Sequence, residues 1–297
     1  MNDALVVWAR ALLYLGTLAA IGRGLLAVLQ GTPHTSSLTA VDGSSDATGS
    51  APDRQARRVA VVAAMLLLLV PFLLARQQLL ALEMPWSELA MLVRETGWGR
   101  GFAWLTVSAF ATAVALCLPL SRAAAWGLLM LASALAVAMG GLGHAAADIR
   151  WPVGARVLDA VHVWTVGAWM GGLLFTWLAT RAGPAHTAQS GHVDARWQRF
   201  SALATIMAPL AVMTGMLSGA RLVGGQAPRV ILGSEYGQML LVKSLLVAVV
   251  LAIGAVQRGR IARGESPARR SVAVELGLAA WVLLVTATLT GTEPPGE

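Results

Sequence analysis

The stretch Val59–Ala75, VAVVAAMLLLLVPFLLA, decides the fold class of this chain. It contains no charged residue, and with its flanks it is long enough to cross a hydrocarbon layer of about 30 Å at about 1.5 Å per residue. Apolar stretches of this kind recur along the whole sequence. They predict an all-α, polytopic membrane protein with one integral-membrane domain over residues 1–297, built as a bundle of eight transmembrane helices. The predicted spans are 4–30, 59–82, 101–120, 123–146, 156–180, 199–222, 237–257 and 270–290.

The composition supports a membrane protein and argues against several other classes. The 297 residues are 57% hydrophobic and 12% charged, whereas soluble domains carry about 25% charged residues. The net charge of +7 comes from short loops between spans, so membrane orientation explains it better than nucleic-acid binding. No GxxxxGK[ST] phosphate loop and no nucleophile–base pattern is present. We therefore expect a lipid-embedded protein that is not an enzyme and does not hydrolyse ATP.

The loops between the predicted spans alternate in basic content, which predicts an orientation. One set of loops carries twelve arginines and the other carries six. The richer set should face the cytoplasm, which places both termini in the periplasm of a multi-pass protein. Within that set, the Ser/Thr/Gly/Asp-rich linker 31–58 predicts a mobile cytoplasmic loop. On the other side, the segment 83–100 predicts a short amphipathic helix lying at the interface.

Polar side chains stand out in the stretch Gly141–Gly172, GLGHAAADIRWPVGARVLDAVHVWTVGAWMGG. His144 falls at the predicted end of span four, and Asp159 and His162 lie one helical turn apart on span five. Ionisable groups inside a membrane cost about 2.5–3.5 kcal/mol each and mark functional paths. Neutral imidazole is a common metal ligand, and a nearby carboxylate binds the metal or orients the ring. A metal site near the outer surface is predicted, and the alternative is that both histidines are interfacial polar residues.

Three further charges fall inside the predicted spans. Arg10 should lie at a depth close to Asp159, so we expect the two to pair or to share a polar network. Lys243 lies about two turns below the outer surface, where it repels cations or neutralises a carboxylate. Glu275 lies one to two turns from the cytoplasm and is a candidate lower stop on a proton or metal path. For each charge the alternative is a structural role within the bundle.

Several segments together resemble the copper resistance protein D (CopD) family of bacterial inner-membrane proteins. The likeness covers most of residues 100–295 and is carried by the order and spacing of the pieces. They are GHA at Gly143–Ala145, LDAVHVWTVGAWMGGLL at Leu158–Leu174, RFSALATIMAPLAVMTGMLSG at Arg199–Gly219, YGQMLLVKSLLVAVVLAIGAVQR at Tyr236–Arg258, and the closing ELGLAAWVLLVTATLTGTEPP.

The resemblance implies copper transport or copper handling at the bacterial inner membrane, in copper resistance or homeostasis. It also implies a periplasmic copper-binding partner of the CopC type. Cu(I) favours thioether and imidazole ligands, so the candidate metal ligands are His144, His162, Asp159, Met139, Met213 and Met216. Two rival functions remain open. One is an electron-transfer protein that ligates haem through His144 and His162, and the other is a docking platform for the periplasmic partner.

Overall fold

The computed structural model describes residues 2–30, 51–142, 151–181, 193–293 and 295. All regular structure in these ranges is helical, and eight helices are long and apolar enough to cross a membrane. The predicted fold class is thereby confirmed. We call these helices spans one to eight, and their bounds are Asn2–Gln30, Ala51–Ala81, Gly97–Cys117, Arg122–Met139, Pro152–Arg181, Ala195–Val223, Glu235–Ala262 and Arg269–Leu289.

Two boundaries differ from the predicted ones. Span two begins at Ala51, so residues 51–58 are helical and not part of the predicted loop 31–58. Alanine, glutamine and arginine in this stretch are strong helix formers, which explains the extension. Residues 31–50 of that loop lie outside the described residues.

Span four ends at Met139, seven residues before its predicted end at 146. The amides of Gly141 and Leu142 bond back three residues to the carbonyls of Ala138 and Met139, at 3.0 and 3.2 Å. Such tight bonds close the last turn of a helix. His144 follows this turn, in the segment 143–150 that lies outside the described residues.

The starts of several spans are fixed by side-chain caps. Thr96, Ser121 and Ser234 each accept a hydrogen bond from the amide three residues on, at 2.9, 3.1 and 3.1 Å. Each cap satisfies one of the amides that a helix start leaves without a partner. The segment 83–100 contains the expected short helix, Leu89–Glu95, on which Leu92 is buried. Local sequence thus determines where spans three, four and seven begin.

Span one lies at the centre of the bundle and packs against spans two, four, five and eight. Its contact with span five is very close, because a Cβ on Gly22 would collide with the backbone of Gly171. Gly171 ends a short π-helical segment, Gly167–Gly171, within span five. Glycine at the crossing lets the two backbones meet, as is usual where membrane helices approach closely.

The buried apolar side chains form two clusters. The first joins spans one to four with the inner half of span five and includes Leu67, Leu105 and Phe175. The second lies among spans five to eight and includes Trp169 and Trp197. The predicted polar residues Asp159, His162, Lys243 and Glu275 lie on spans five, seven and eight, which contribute to this second cluster.

Candidate metal centre

We call the end of the bundle at which span one begins the outer end, and the opposite end the inner end. Near the outer end, His162 of span five reaches span six. Its Nδ1 lies 3.0 Å from the carbonyl oxygen of Ala211 and 3.0 Å from Oγ1 of Thr214. The Thr214 hydroxyl already donates to the carbonyl of Leu210 at 2.7 Å, and a carbonyl only accepts. Nδ1 therefore carries the proton, and in the neutral ring Nε2 presents a lone pair.

Asp159 lies one turn closer to the outer end on the same face of span five. The hydroxyl of Ser218 lies 3.1 Å from its Oδ1 and donates to it. A guanidinium nitrogen of Arg221 lies 3.8 Å from the same oxygen. The carboxylate thus links spans five and six through an ion pair and a charge-assisted hydrogen bond.

Span seven adds a positive charge to this region. Lys243 lies within electrostatic range of both His162 and Asp159. Tyr236, at the outer end of the same span, is buried within range of Asp159 and Arg221. Spans five, six and seven therefore share one region of polar side chains. We call it the interhelical polar cluster, and its members are Asp159, His162, Thr214, Ser218, Arg221 and Lys243.

The sequence reasoning missed the contribution of span six to this cluster. Thr214, Ser218 and Arg221 are spaced i, i+4 and i+7, so they lie on one face of the helix. Polar residues repeating at that interval in an otherwise apolar span indicate a face turned toward another helix. The spacing was visible in the sequence, but it identifies the partner helix only once span five is placed beside it.

Two predicted methionine ligands lie away from the cluster. Met213 and Met216 are 51% and 70% exposed. At 100° per residue they are on the side of span six opposite to Ala211, Thr214 and Gly215, which face His162. They do share a face, as expected, but this face is turned outward from the bundle and does not approach the imidazole.

Met139 is placed differently, at the end of span four. Its sulfur accepts a hydrogen bond from the hydroxyl of Thr17, with 3.6 Å between the two atoms. The contact holds the thioether against span one. His144, the other predicted ligand near this end of span four, lies outside the described residues, so the pairing of the two histidines stays a prediction.

The part of the chain that the structure describes contains no group of three or more His, Cys, Asp and Glu residues close enough to hold a metal ion. Asp159 also differs from its predicted role of orienting the imidazole, because the Ala211 carbonyl and the Thr214 hydroxyl accept from Nδ1 instead. The described residues thus supply one free imidazole nitrogen and a network of charges.

The remaining predicted charges lie in two other places. Arg10 sits against Gly291 near the outer end, and within the described residues its Nη1 is buried without a hydrogen-bond partner. Asp159 forms an ion pair with Arg221, and Tyr14 of span one lies within electrostatic range of both Arg10 and Asp159; a polar network shared by Arg10 and Asp159 stays a prediction. Glu275 is buried in the inner half of span eight, facing Gly254 of span seven.

Residues 194–289 match the family profile described as "Copper resistance protein D". Spans six to eight are thus similar to the CopD family. The predicted CopD resemblance is thereby confirmed for spans six to eight, which contribute Thr214, Ser218, Arg221 and Lys243 to the polar cluster. Asp159 and His162 precede the matched region.

A curated relative covers more of the chain. The copper resistance protein D of Pseudomonas syringae pv. tomato is 31% identical over 153 residues, which is 47% of this chain and 49% of the relative. The chain thus spans about half the length of the curated relative that it matches. No solved structure matches the chain at a significant level.

Proposed function

We propose that this protein transports copper across the inner membrane of a bacterium, and that the copper path begins at the interhelical polar cluster. The CopD region and the eight spans support the proposal. The observation that carries it is His162, an imidazole between spans five and six whose Nδ1 is held by a backbone carbonyl. This leaves Nε2 as a metal-binding nitrogen inside the bundle.

The chemistry of the cluster favours brief rather than permanent binding. Copper is the cargo, and imidazole and thioether groups are suitable ligands for Cu(I). We assign Nε2 of His162 as one ligand and propose His144 and the Met139 thioether as ligands nearer the outer end. Lys243 and Arg221 add two positive charges, which Asp159 balances only in part. Their repulsion of a cation helps to release the cargo after it is bound.

The orientation of the path is part of this proposal. The arginine-rich loops should face the cytoplasm, which places the polar cluster near the periplasmic end. A periplasmic copper-binding protein of the CopC type is then the proposed partner at this end. The proposal is tested against two rival functions, haem ligation and docking of a partner without transport.

The test is the amount of Cu(I) bound per chain in detergent, measured by competition with a chromophoric chelator. We expect His162→Ala and His144→Ala each to weaken the same high-affinity binding by tenfold or more, about 1.4 kcal/mol. His192→Ala, in a predicted cytoplasmic loop, is the matched control and should bind as the wild type does.

Unchanged Cu(I) binding in both His162→Ala and His144→Ala would refute the proposed site. An absorbance spectrum of the same samples identifies haem, since a Soret band that disappears in either variant would favour the electron-transfer function.

A further inference from the structure

A buried carboxylate faces a cavity in the inner half of the bundle. Glu275 of span eight is 3% exposed and lies six residues from the start of that span at Arg269, or about 9 Å along the helix. It lines a cavity of about 190 Å³ between spans five, six, seven and eight. Gly254 of span seven faces the carboxylate, and a Cβ there would lie 3.3 Å from Oε1. The absence of that side chain leaves room around the carboxylate.

Within the described residues, the charge of Glu275 has no counter-ion. Among the described residues, ion pairs are formed by Asp159 and Glu265, and none by Glu275. The other ionisable residue that lines the cavity is Arg258, which is exposed at its inner end. An unpaired carboxylate inside a membrane bundle is costly in its charged form, so it favours binding a cation or a proton.

Two other polar side chains around the cavity are already engaged. The side chain of Gln257 donates to the carbonyl of Ala268 and accepts from its amide, both at 3.3 Å. The hydroxyl of Thr205 donates to the carbonyl of Ser201 at 2.8 Å. Glu275 is therefore the acidic group that the cavity offers to a ligand.

The residues that line the cavity favour a proton rather than copper as the ligand of Glu275. Among the described residues that line it there is no histidine, cysteine or methionine, and Cu(I) binds poorly to oxygen ligands alone. Arg258 also repels a metal cation that approaches from the inner end. A proton needs only the carboxylate oxygen, which becomes neutral on binding it.

The cavity reaches close to the polar cluster along span six. Ala208 lines the cavity, and Ala211, three residues further, accepts the hydrogen bond of His162. Three residues correspond to about 4.5 Å of helix. Trp169 of the π-helical segment also lines the cavity, seven residues after His162 on span five. Spans five, six and seven therefore carry the outer cluster and also line the cavity that Glu275 of span eight faces.

We propose that Glu275 is a proton-binding site on the inner half of the transport path, and that its protonation is coupled to the movement of copper. The proton comes from water at the inner end and forms a neutral carboxylic acid. Its release restores the carboxylate. This inference rests on the proposed copper transport for the coupling, but the proton site itself is measurable without copper.

Infrared difference spectroscopy of the full chain in detergent tests the proton site. Between low and high pH the wild type should show the carbonyl band of a protonated carboxylic acid, which Glu275→Gln removes. Glu265→Gln, in the exposed loop between spans seven and eight, is the matched control and should keep the band. Glu275→Asp retains a carboxylic acid and should keep a band at a shifted frequency. This second variant keeps the test informative if Glu275→Gln does not fold. Identical difference spectra for the wild type and Glu275→Gln would overturn the proposal.

Proteoliposomes test the coupling separately. The rate of copper movement should change with pH by up to about tenfold per pH unit, the limit for one titrating group, and Glu275→Gln should abolish this dependence. A wild type that moves copper with the same pH profile as Glu275→Gln would refute the coupling and leave the proposed function intact. A wild type that has the Glu275 band but moves no copper would refute the proposed function and the coupling, while the proton site would stand.

Discussion

Lys243 places a positive charge within electrostatic range of the imidazole that we assign as a copper ligand. It lies within electrostatic range of His162 and of Asp159, so a copper ion on Nε2 would be repelled by the ammonium group. At an effective dielectric constant of about 20 and a distance of about 10 Å, two unit charges repel by roughly 1.7 kcal/mol. On the proposed copper path, Lys243 would therefore weaken the binding of copper to His162.

The variant Lys243→Leu should therefore bind Cu(I) more tightly, by about tenfold in Kd. Leucine removes the charge without adding a metal ligand. Chelator competition in detergent measures the change, and Arg229→Leu, in the exposed short helix Pro228–Gly233, is the control for loss of a remote charge. An unchanged or weaker Kd in Lys243→Leu would show that the ammonium group does not face the copper position.

At the scale of elements, the close crossing of spans one and five holds the amino-terminal and carboxy-terminal halves of the bundle together. Gly22 and Gly171 meet backbone to backbone. Because no flexible side chain lies at the contact, a Cβ can be accommodated only if one helix moves. This crossing holds span five in place. It thereby also positions Asp159 and His162, which lie toward the outer end of that span.

Gly22→Ala should lower stability by roughly 2–4 kcal/mol, in the range of overpacked or disrupted helix contacts. Gly127→Ala is the matched control, since a Cβ at this position of span four meets no atom within 4 Å and alanine favours helix by about 1 kcal/mol. Thermal unfolding in detergent compares the two variants. Equal Tm values for Gly22→Ala and the wild type would contradict the tight crossing.

The sequence predicted the helices well but the contacts between them only in part. Length and hydropathy were enough to predict the eight spans. The reason is that a segment inside a membrane must satisfy its backbone N–H and C=O groups with hydrogen bonds of its own, which a helix provides. Helical spacing also predicted that Asp159 and His162 share a face. The sequence predicted that Asp159 pairs or shares a polar network with Arg10, and it did not identify Arg221 of span six as an ion-pair partner, because the depth of a residue does not specify which neighbouring helix its side chain meets.

The methionines illustrate the same limit. Met213 and Met216 share a face of span six, as their spacing indicates, but the opposite face carries Thr214 and meets His162. A pattern on one helix identifies two faces, and only packing decides which one is turned inward. The role of Glu275 was left open by the sequence for a related reason, since a cavity is formed by several helices at once.

At the scale of the whole molecule, the orientation of the bundle can be tested with its single cysteine. Cys117 is exposed and ends span three at the inner end, which the arginine distribution predicts to be cytoplasmic. In intact cells a membrane-permeant maleimide should label it and an impermeant one should not.

The matched control places a cysteine at the other end of the same span. Gly97→Cys in a Cys117→Ser background puts the thiol where a Cβ meets no atom within 4 Å, and the impermeant reagent should label it. The reverse pattern of labelling would place the polar cluster on the cytoplasmic side and exclude a periplasmic partner at that end.

We propose that copper crosses the membrane through this chain by way of His162. The rate of copper movement in proteoliposomes that contain only the purified protein tests this transport. We predict copper movement above that of empty vesicles for the wild type, and a loss of about tenfold or more for His162→Ala, the effect of removing one ligand worth about 1.4 kcal/mol. Wild-type vesicles that are no more permeable to copper than empty vesicles would refute copper transport by this chain and would favour a docking role at the membrane.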